Sequence, residues 1–475
     1  IFAQRIYYAN EKSGTSGDEK IQSAINEAKG NTGHKLIIVE GIFDDKDIRW
    51  IINKTITIPS NTTIILKGVH LMVNDSVSQR IPIFTNDDYA NGNQNIHIIG
   101  EGGAKIDGNV INHDEKRGGQ LYFYNIDYLS FRGVQIGSTA GWAMYLEKVS
   151  NLHIDNLHFF QDNNHPWQDG IHVVGPASSI VINNITGTFG DDVVVADALM
   201  SREGEGGDVS GMMVSNVVAT NVHGAGLLRV IPSDKFIVEG IHLTNSTLFT
   251  ESGGTDAAIK IGWDAGTHVY PREQIPMGNM RNITIDNIFI PYWKGPVIDV
   301  QNPVKNLTIS NVTSRHMGPF FYNLQHDIDG LHIIGCHSTL IGNPPETMAV
   351  GYLAALAEGR IPYLIHPYNR SYLDDPLGCI SFDHAKIQDL SILNCTFEFD
   401  GESTDDTYPK TIRFYDTAEI DGVYINNIII KDYATGFQID DSSKVSNYTE
   451  DLVRFTNTRV HYLINGQKEN ESYNN

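Results

Sequence analysis

The sequence predicts an all-β chain, a parallel β-solenoid with a short helix covering its N-terminal end, and three observations predict it. A brief apolar phrase closed by Asn or Gly recurs, its first apolar residue falling at 96, 129, 152, 180, 212, 241, 283, 307, 331, 390 and 423. Most intervals lie between 23 and 33 residues, which suits one coil of a solenoid; a sandwich would place turns every ~8–12 residues. Between the phrases, each coil carries a second run with strand-like alternation.

The elements follow in order. Ile1-Phe2-Ala3-Gln4 reads as the apolar and small end of a trimmed secretory signal, which implies a secreted or periplasmic protein. Within the lead-in 1–34, Asp18 to Lys29 places Ile21, Ala24, Ile25 and Ala28 at i, i+3, i+4 and i+7, an amphipathic helix, with Ser16 and Glu19 spaced as a capping box. Such a helix would cover the open end of the sheet against edge-to-edge association. Residues 35–466 form the solenoid. Its phrases read Asn95-Ile96-His97-Ile98, Asn151-Leu152-His153-Ile154, Asn282-Ile283-Thr284-Ile285 and so on, a period-two pattern of branched residues that makes a short strand ended by a turn. His153, His242 and His332 occupy its alternate, outward positions.

Two intervals, of 42 and 59 residues, mark insertions. The longer, near 343–378, contains Thr347 to Gly359 with Met348, Tyr352, Leu353 and Leu356 at helical spacing, then Pro- and Tyr-rich loop. It is a lid, a subunit contact or a plain surface insertion. Residues 467–475 are polar and expected to fray.

Composition narrows the function. Lys+Arg 34 against Asp+Glu 57 gives −23, the wrong sign for a nucleic-acid or anionic-membrane partner. No apolar run is long enough for a spanning helix. Three cysteines, Cys336, Cys379 and Cys395, are too few for a disulfide framework and read as small buried hydrophobes. No chelating His/Cys cluster appears, so no metal or cofactor is expected.

The second strands are Trp142–Leu146, Gly170–Val174, Asp191–Val195, Gly226–Val230, Ala258–Gly262, Val297–Gln301 and Phe320–Asn323. Equivalent strands stack about 4.8 Å apart, so their outward residues share one face. Asp169 and His172 lie on one coil, Asp191 and Asp192 on the next, then His223 and Arg229, Lys260 and Asp299. Trp142, Trp167, Trp263 and Trp293 follow the same face, leaving Trp50 elsewhere. Indoles there are either platforms for sugar C–H faces or fillers of coil corners.

Asp-Asp also occurs at 44, 87, 374, 405 and 440, where it reads as turn chemistry. Asp169 and Asp191 differ because 22 residues, one coil, separate them, so three carboxylates converge. Like charges so close disfavour simultaneous ionisation, leaving one group as acid and another as base. Two carboxyl groups flanking a bond are what glycoside hydrolysis requires.

Trp167-Gln168-Asp169-Gly170-Ile171, followed one coil later by Gly190-Asp191-Asp192, resembles the Asn-Thr-Asp and Gly-Asp-Asp motifs of the polygalacturonases, glycoside hydrolase family 28. The segment Asp18 to Phe43 is similar to the capping start of pectate-lyase-like helices. The resemblance implies a right-handed parallel β-helix and single-displacement, inverting hydrolysis, with Asp191 as general acid and Asp169 and Asp192 activating water. Where the family has Gly-His-Gly this chain has Gly224-Ala225-Gly226. His223 is two residues before the family's histidine position and would share its face on a strand. Where the family has Arg-Ile-Lys this chain has Ala258-Ile259-Lys260, keeping the lysine. Arg229 on the neighbouring coil is the candidate for the missing arginine, and an acidic loop, Asp197 to Asp208, follows the Asp pair.

The expected catalytic set is therefore Asp169, Asp191, Asp192 and His223. The expected substrate-binding set is His172, Arg229, Lys260, Trp167, Trp263 and Trp142, with a polysaccharide or oligosaccharide as partner. Two alternatives remain: a lyase on the same fold that binds Ca²⁺ through the three aspartates and uses Arg229 or Lys260 as base, and a carbohydrate-binding solenoid without catalysis.

Overall fold

The computed structural model describes residues 5–41, 49–77, 81–109, 120–139, 141–161, 168–221, 226–250, 256–263, 275–324, 326–342, 378–401, 409–415, 417–465 and 467–469. They fall into two compact units, 1–220 and 221–475. Each is a right-handed parallel β-helix.

In the first unit the recurring phrase forms one file of paired strands, with Ile96, Leu129, Leu152 and Ile180 as successive register partners. All four are buried. The file stays aligned because its turns are built from asparagine: Asn151, Asn156 and Asn184 have φ near +55° (53°, 56° and 55°), a conformation that asparagine tolerates better than branched residues. The side-chain amides of Asn151 and Asn184 also bind the coil below, donating to Asp127 at 2.7 Å and to Asp155 at 2.9 Å. A second file runs through Met144–Phe160, Ile171–Val174 and Val194–Asp197. A third pairs His70–Val73, Lys105–Asp107 and Gln135–Gly137.

The helix Gly17–Ala28 covers the N-terminal end, with Ile21, Ala24, Ile25 and Ala28 fully buried. Its polar side chains satisfy the free edge of the first coil: Thr57 N–H donates to Gln22 Oε1 and Asn53 N–H to Asp18 Oδ1, both at 2.9 Å. The expected capping box does not form. Ser16 makes no side-chain cap. Glu19 instead accepts from the Thr15 N–H at 2.7 Å and the Thr15 hydroxyl at 3.0 Å.

The second unit repeats the arrangement, with Ile241, Ile283, Leu307, Leu331, Leu390 and Val423 in register and buried. Cys336, Cys379 and Cys395 are free and buried. Residues Gln467–Glu469, expected as frayed tail, pair antiparallel with Val460–Ile464. The insertion expected near 343–378 lies outside the described residues apart from Gly378, which opens a strand.

Candidate active site

Asp169, Asp191 and Asp192 are positioned by two paired coils of the first unit. Ile171 pairs with Val194 and His172 with Val195. The pairing runs back into the preceding turns, where Gly170 N–H donates to the Asp192 carbonyl at 2.9 Å and Asp191 N–H to the Gln168 carbonyl at 3.2 Å. Glycine is required at 170, since a Cβ there would lie 2.6 Å from both the Val193 oxygen and a Phe189 ring carbon. One carboxylate oxygen from each of the three aspartates consequently lies within 4.8 Å of the other two. The sequence places these groups outward on strands. They stand instead in the turns ahead of the strands, and only Asp191 is partly exposed, Asp169 and Asp192 being 3% and 1% accessible. Oxygen ligands so spaced could hold one divalent cation.

His172 is not on an open surface. It is buried between two carboxylates, with Nδ1 2.8 Å from Asp169 Oδ2 and Nε2 2.9 Å from Asp197 Oδ2. Burial alone would push the imidazole down, but the hydrogen bonds and charges of Asp169 and Asp197 outweigh it and raise the ring to about 9. A ring cationic at neutral pH donates from both nitrogens. It therefore holds Asp169 in place and has no donor left for a sugar. Asp197 completes the chain, its Oδ1 accepting the N–H groups of Leu199 and Met200 at 2.7 and 2.8 Å.

The loop after Asp197 is pinned across the face of the second file. The buried carboxylate of Glu147 accepts the Tyr145 hydroxyl at 2.8 Å, the Arg202 N–H at 3.1 Å and the Ser201 hydroxyl. Tyr145 also accepts the Arg202 N–H at 3.1 Å, and Tyr122 donates to Glu203 at 2.8 Å. Beneath the loop, Tyr122, Tyr145 and His172 are register partners on successive coils. Trp142 lies against them, 4.1 Å from the His172 ring and 5.5 Å from Tyr145 with planes 7° apart. Sequence reasoning missed Tyr122, Tyr145, Glu147 and Arg202. The one signal available was that Tyr122 and Tyr145 are 23 residues, one coil, apart.

In the second unit, Arg229 and Lys260 are register partners. Both turn to the same carboxylate: Arg229 lies 3.5 Å from Asp256 Oδ2, and Lys260 forms a closer ion pair with it. Trp263 is partly exposed, its backbone N–H donating to Asn302 Oδ1 at 2.7 Å. Trp293 is no platform. It is fully buried, and its indole donates to the Asp256 carbonyl at 2.7 Å. His223 and Trp167 lie outside the described residues.

No family profile and no curated protein matches the chain. Among solved structures it is similar to the tailspike protein of E. coli bacteriophage HK620, a double mutant in complex with pentasaccharide, at 10% identity over 94% of this chain and 75% of that one, TM-score 0.53. It is also similar to the N-terminal fragment of bacteriophage Phi29 gene product 12, at 12% identity over 97% and 71%, TM-score 0.52. A family 28 exopolygalacturonase of Yersinia enterocolitica matches at 12% identity over 95% and 78%, TM-score 0.48. At these identities the tailspike and the phage fragment show the fold alone.

Proposed function

We propose that this chain acts on a polysaccharide or its oligomers and cleaves a glycosidic bond by hydrolysis at Asp169, Asp191 and Asp192. The observation that carries the reading is the convergence of three carboxylates from two paired turns within 4.8 Å, beside the half-buried indole of Trp142. Likeness of fold to a tailspike solved with a pentasaccharide is compatible with it.

Asp191, the most accessible of the three, protonates the departing glycosidic oxygen. Asp169 and Asp192 take the proton from the water whose oxygen attacks the anomeric carbon as the C–O bond breaks. His172, donating to Asp169 Oδ2, fixes the direction of that carboxylate and is a positioning residue. The reaction is read as inverting. The carboxylates are closer than the ~6.5–9.5 Å usual for inverting pairs, so the anomer released is the sharpest measurement of stereochemistry.

A second reading, a lyase holding Ca²⁺ on the same three groups, is favoured by their compactness alone. Reducing-end release, product anomer by NMR and near-ultraviolet absorption of unsaturated product separate the two. Asp191→Asn is expected to lower turnover by about 10²–10⁴-fold with an unchanged circular dichroism spectrum. Full activity in that variant would overturn the assignment, and unsaturated product abolished by a chelator would favour the lyase. If wild type releases no product and Asp191→Asn leaves oligosaccharide binding intact, the protein is a binding solenoid.

A further inference from the structure

Six successive coils of the first unit line a groove to which Asp169, Asp191 and Asp192 contribute nothing. It holds about 690 Å³ and runs from Ser60 to Ser210, past the corner where each coil enters its phrase strand. At about 4.8 Å per coil it is about 24 Å long. The three aspartates stand in the turns ahead of Ile171–Val174 and its partner, whereas the groove is met after it, at Pro176 and Ser178. The four residues of that strand, ~13 Å, lie between.

A file of small polar residues, one from each coil, forms the wall. Gln94 pairs with Asp127, Asp127 with Ser150 and Ser150 with Ser178. Ser210 follows on the next coil, where the Asp208 carbonyl accepts the Ala177 N–H at 2.7 Å. The file is held in place from within the fold. Asp127 Oδ1 accepts from the Ser150 hydroxyl and the Asn151 amide, each at 2.7 Å, which leaves Oδ2 without a described partner. The backbone N–H of Gln94 donates to Ser60 Oγ at 3.1 Å, and its side chain is exposed. Ser178 and Ser210 are half-buried, and among the described residues their hydroxyls have no partner. Lys148 is exposed, its Nζ 5.7 Å from the centroid of the Tyr124 ring, and makes no ion pair with a described residue. The groove therefore offers donors and acceptors together, repeated at coil spacing.

We propose that this groove holds an oligosaccharide chain laid along the coils, at a binding site separate from the three aspartates. The occupant follows from the kind of contact available. Each strand along the file is paired on both sides, so no backbone edge is left for an extended peptide. Asp127 and Asp208 line the groove with Lys148 as its one described cation, the wrong balance for a nucleic acid. A sugar chain needs neither a free edge nor a cationic field. Its hydroxyls, donors and acceptors on every unit, match Gln94, Asp127, Lys148, Ser178 and Ser210, while the exposed ring of Pro176 gives its C–H groups an apolar contact. The inference goes beyond the hydrolytic reading and needs no catalysis at the aspartates.

The test is equilibrium binding by calorimetry, in chelator, with the hexasaccharides of xylan, cellulose, chitin and polygalacturonate as probes. The full chain carries Asp191→Asn so that no probe is cleaved. At least one probe is expected to show a binding component that persists when Trp142→Ala is added. Ser178→Trp, which fills the groove, should weaken that component at least about tenfold, with an unchanged circular dichroism spectrum. Lys148→Ala and Gln94→Ala, both on exposed side chains, should each weaken it severalfold, and they decide the matter if Ser178→Trp does not fold. Binding that ignores the groove substitutions, binding abolished by Trp142→Ala alone, or no binding of any probe overturns the inference. Cleavage is scored separately, with Asp191 restored. A groove component without released reducing ends sinks the hydrolase and spares the groove; cleavage by a protein whose hexasaccharide binding is indifferent to the groove substitutions does the reverse.

Discussion

Replacing His172 by Gln tests the chain that holds Asp169. The imidazole sits between Asp169 and Asp197 and is raised from 6.5 to about 9. At 1.36 kcal/mol per pH unit, that gap corresponds to ~3 kcal/mol of folding free energy. A folded-state value above the unfolded one means that the stabilisation is fully present below pH ~6.5, falls between ~6.5 and ~9, and is gone above that. The ring is completely buried, so solvent does not screen the pairs. Wild type and His172→Gln should be unfolded with urea at pH 6, 8 and 10 in chelator, where no cation competes for Asp169. Wild type is expected to lose ~3 kcal/mol more than the variant between the lowest and highest pH. The difference between the two proteins cancels the titration of tyrosines and lysines elsewhere. Parallel pH profiles would refute the claim that a buried imidazolium joins the two carboxylates. The variant should also be less stable at pH 6 by a few kcal/mol, because Asp169 and Asp197 then face each other across the pocket without a counter-charge.

Three further outcomes follow from the same geometry. Trp142→Ala should raise KM by about 10–100-fold with a smaller change in kcat, since lost stacking weakens substrate and transition state alike; a pure kcat effect would remove Trp142 from the binding surface. Glu147→Gln removes the charge that holds Ser201 and Arg202, and hydrogen exchange at the Arg202 amide should accelerate about tenfold or more. Unchanged exchange there would mean that other contacts pin the loop. Burial pushes the Cys379 thiol up to about 11, and all three cysteines are buried, so a thiol reagent at neutral pH should label none in the native protein and three after unfolding.

The sequence carried the interior of the fold in plain form because the interior is periodic. Ile96, Leu129, Leu152 and Ile180 had to recur at coil spacing if each coil was to bury its side chains on the next, and they do so as register partners. The convergence of Asp169 with Asp191 and Asp192 was legible for the same reason, one coil being a fixed length of chain. Burial of the outward face was not. Alternation says which side of a strand a residue occupies, but not what lies on top of it, and His172 is covered by partners three and twenty-five residues away. Glu147 and Arg202 meet across 55 residues through a loop with no periodicity to betray its path. Ser16 and Glu19 had the right spacing for a capping box, yet Thr15 captured the glutamate through two hydrogen bonds. The motif fixes only which acceptor is available, and the turn before the helix decides which donor reaches it.

The acidic loop after the Asp pair interrupts the coil spacing, and the structure gives that interruption a physical role. A regular turn at 198–207 would leave the Asp197 carboxylate and the Tyr145 and Tyr122 hydroxyls facing solvent. The inserted residues instead supply backbone N–H groups to Asp197 and to Glu147, and a carboxylate to Tyr122. The hydrogen bonds that fold the loop are thus made to Tyr122, Tyr145 and Glu147 and to the Asp197 carboxylate that holds His172. Displacing the loop would therefore reach Asp169 through Asp197 and His172, by way of contacts between 2.7 and 2.9 Å. Substitutions that loosen the loop without touching a carboxylate should consequently alter kcat as well as KM, whereas a loop that only walls the groove would change KM alone.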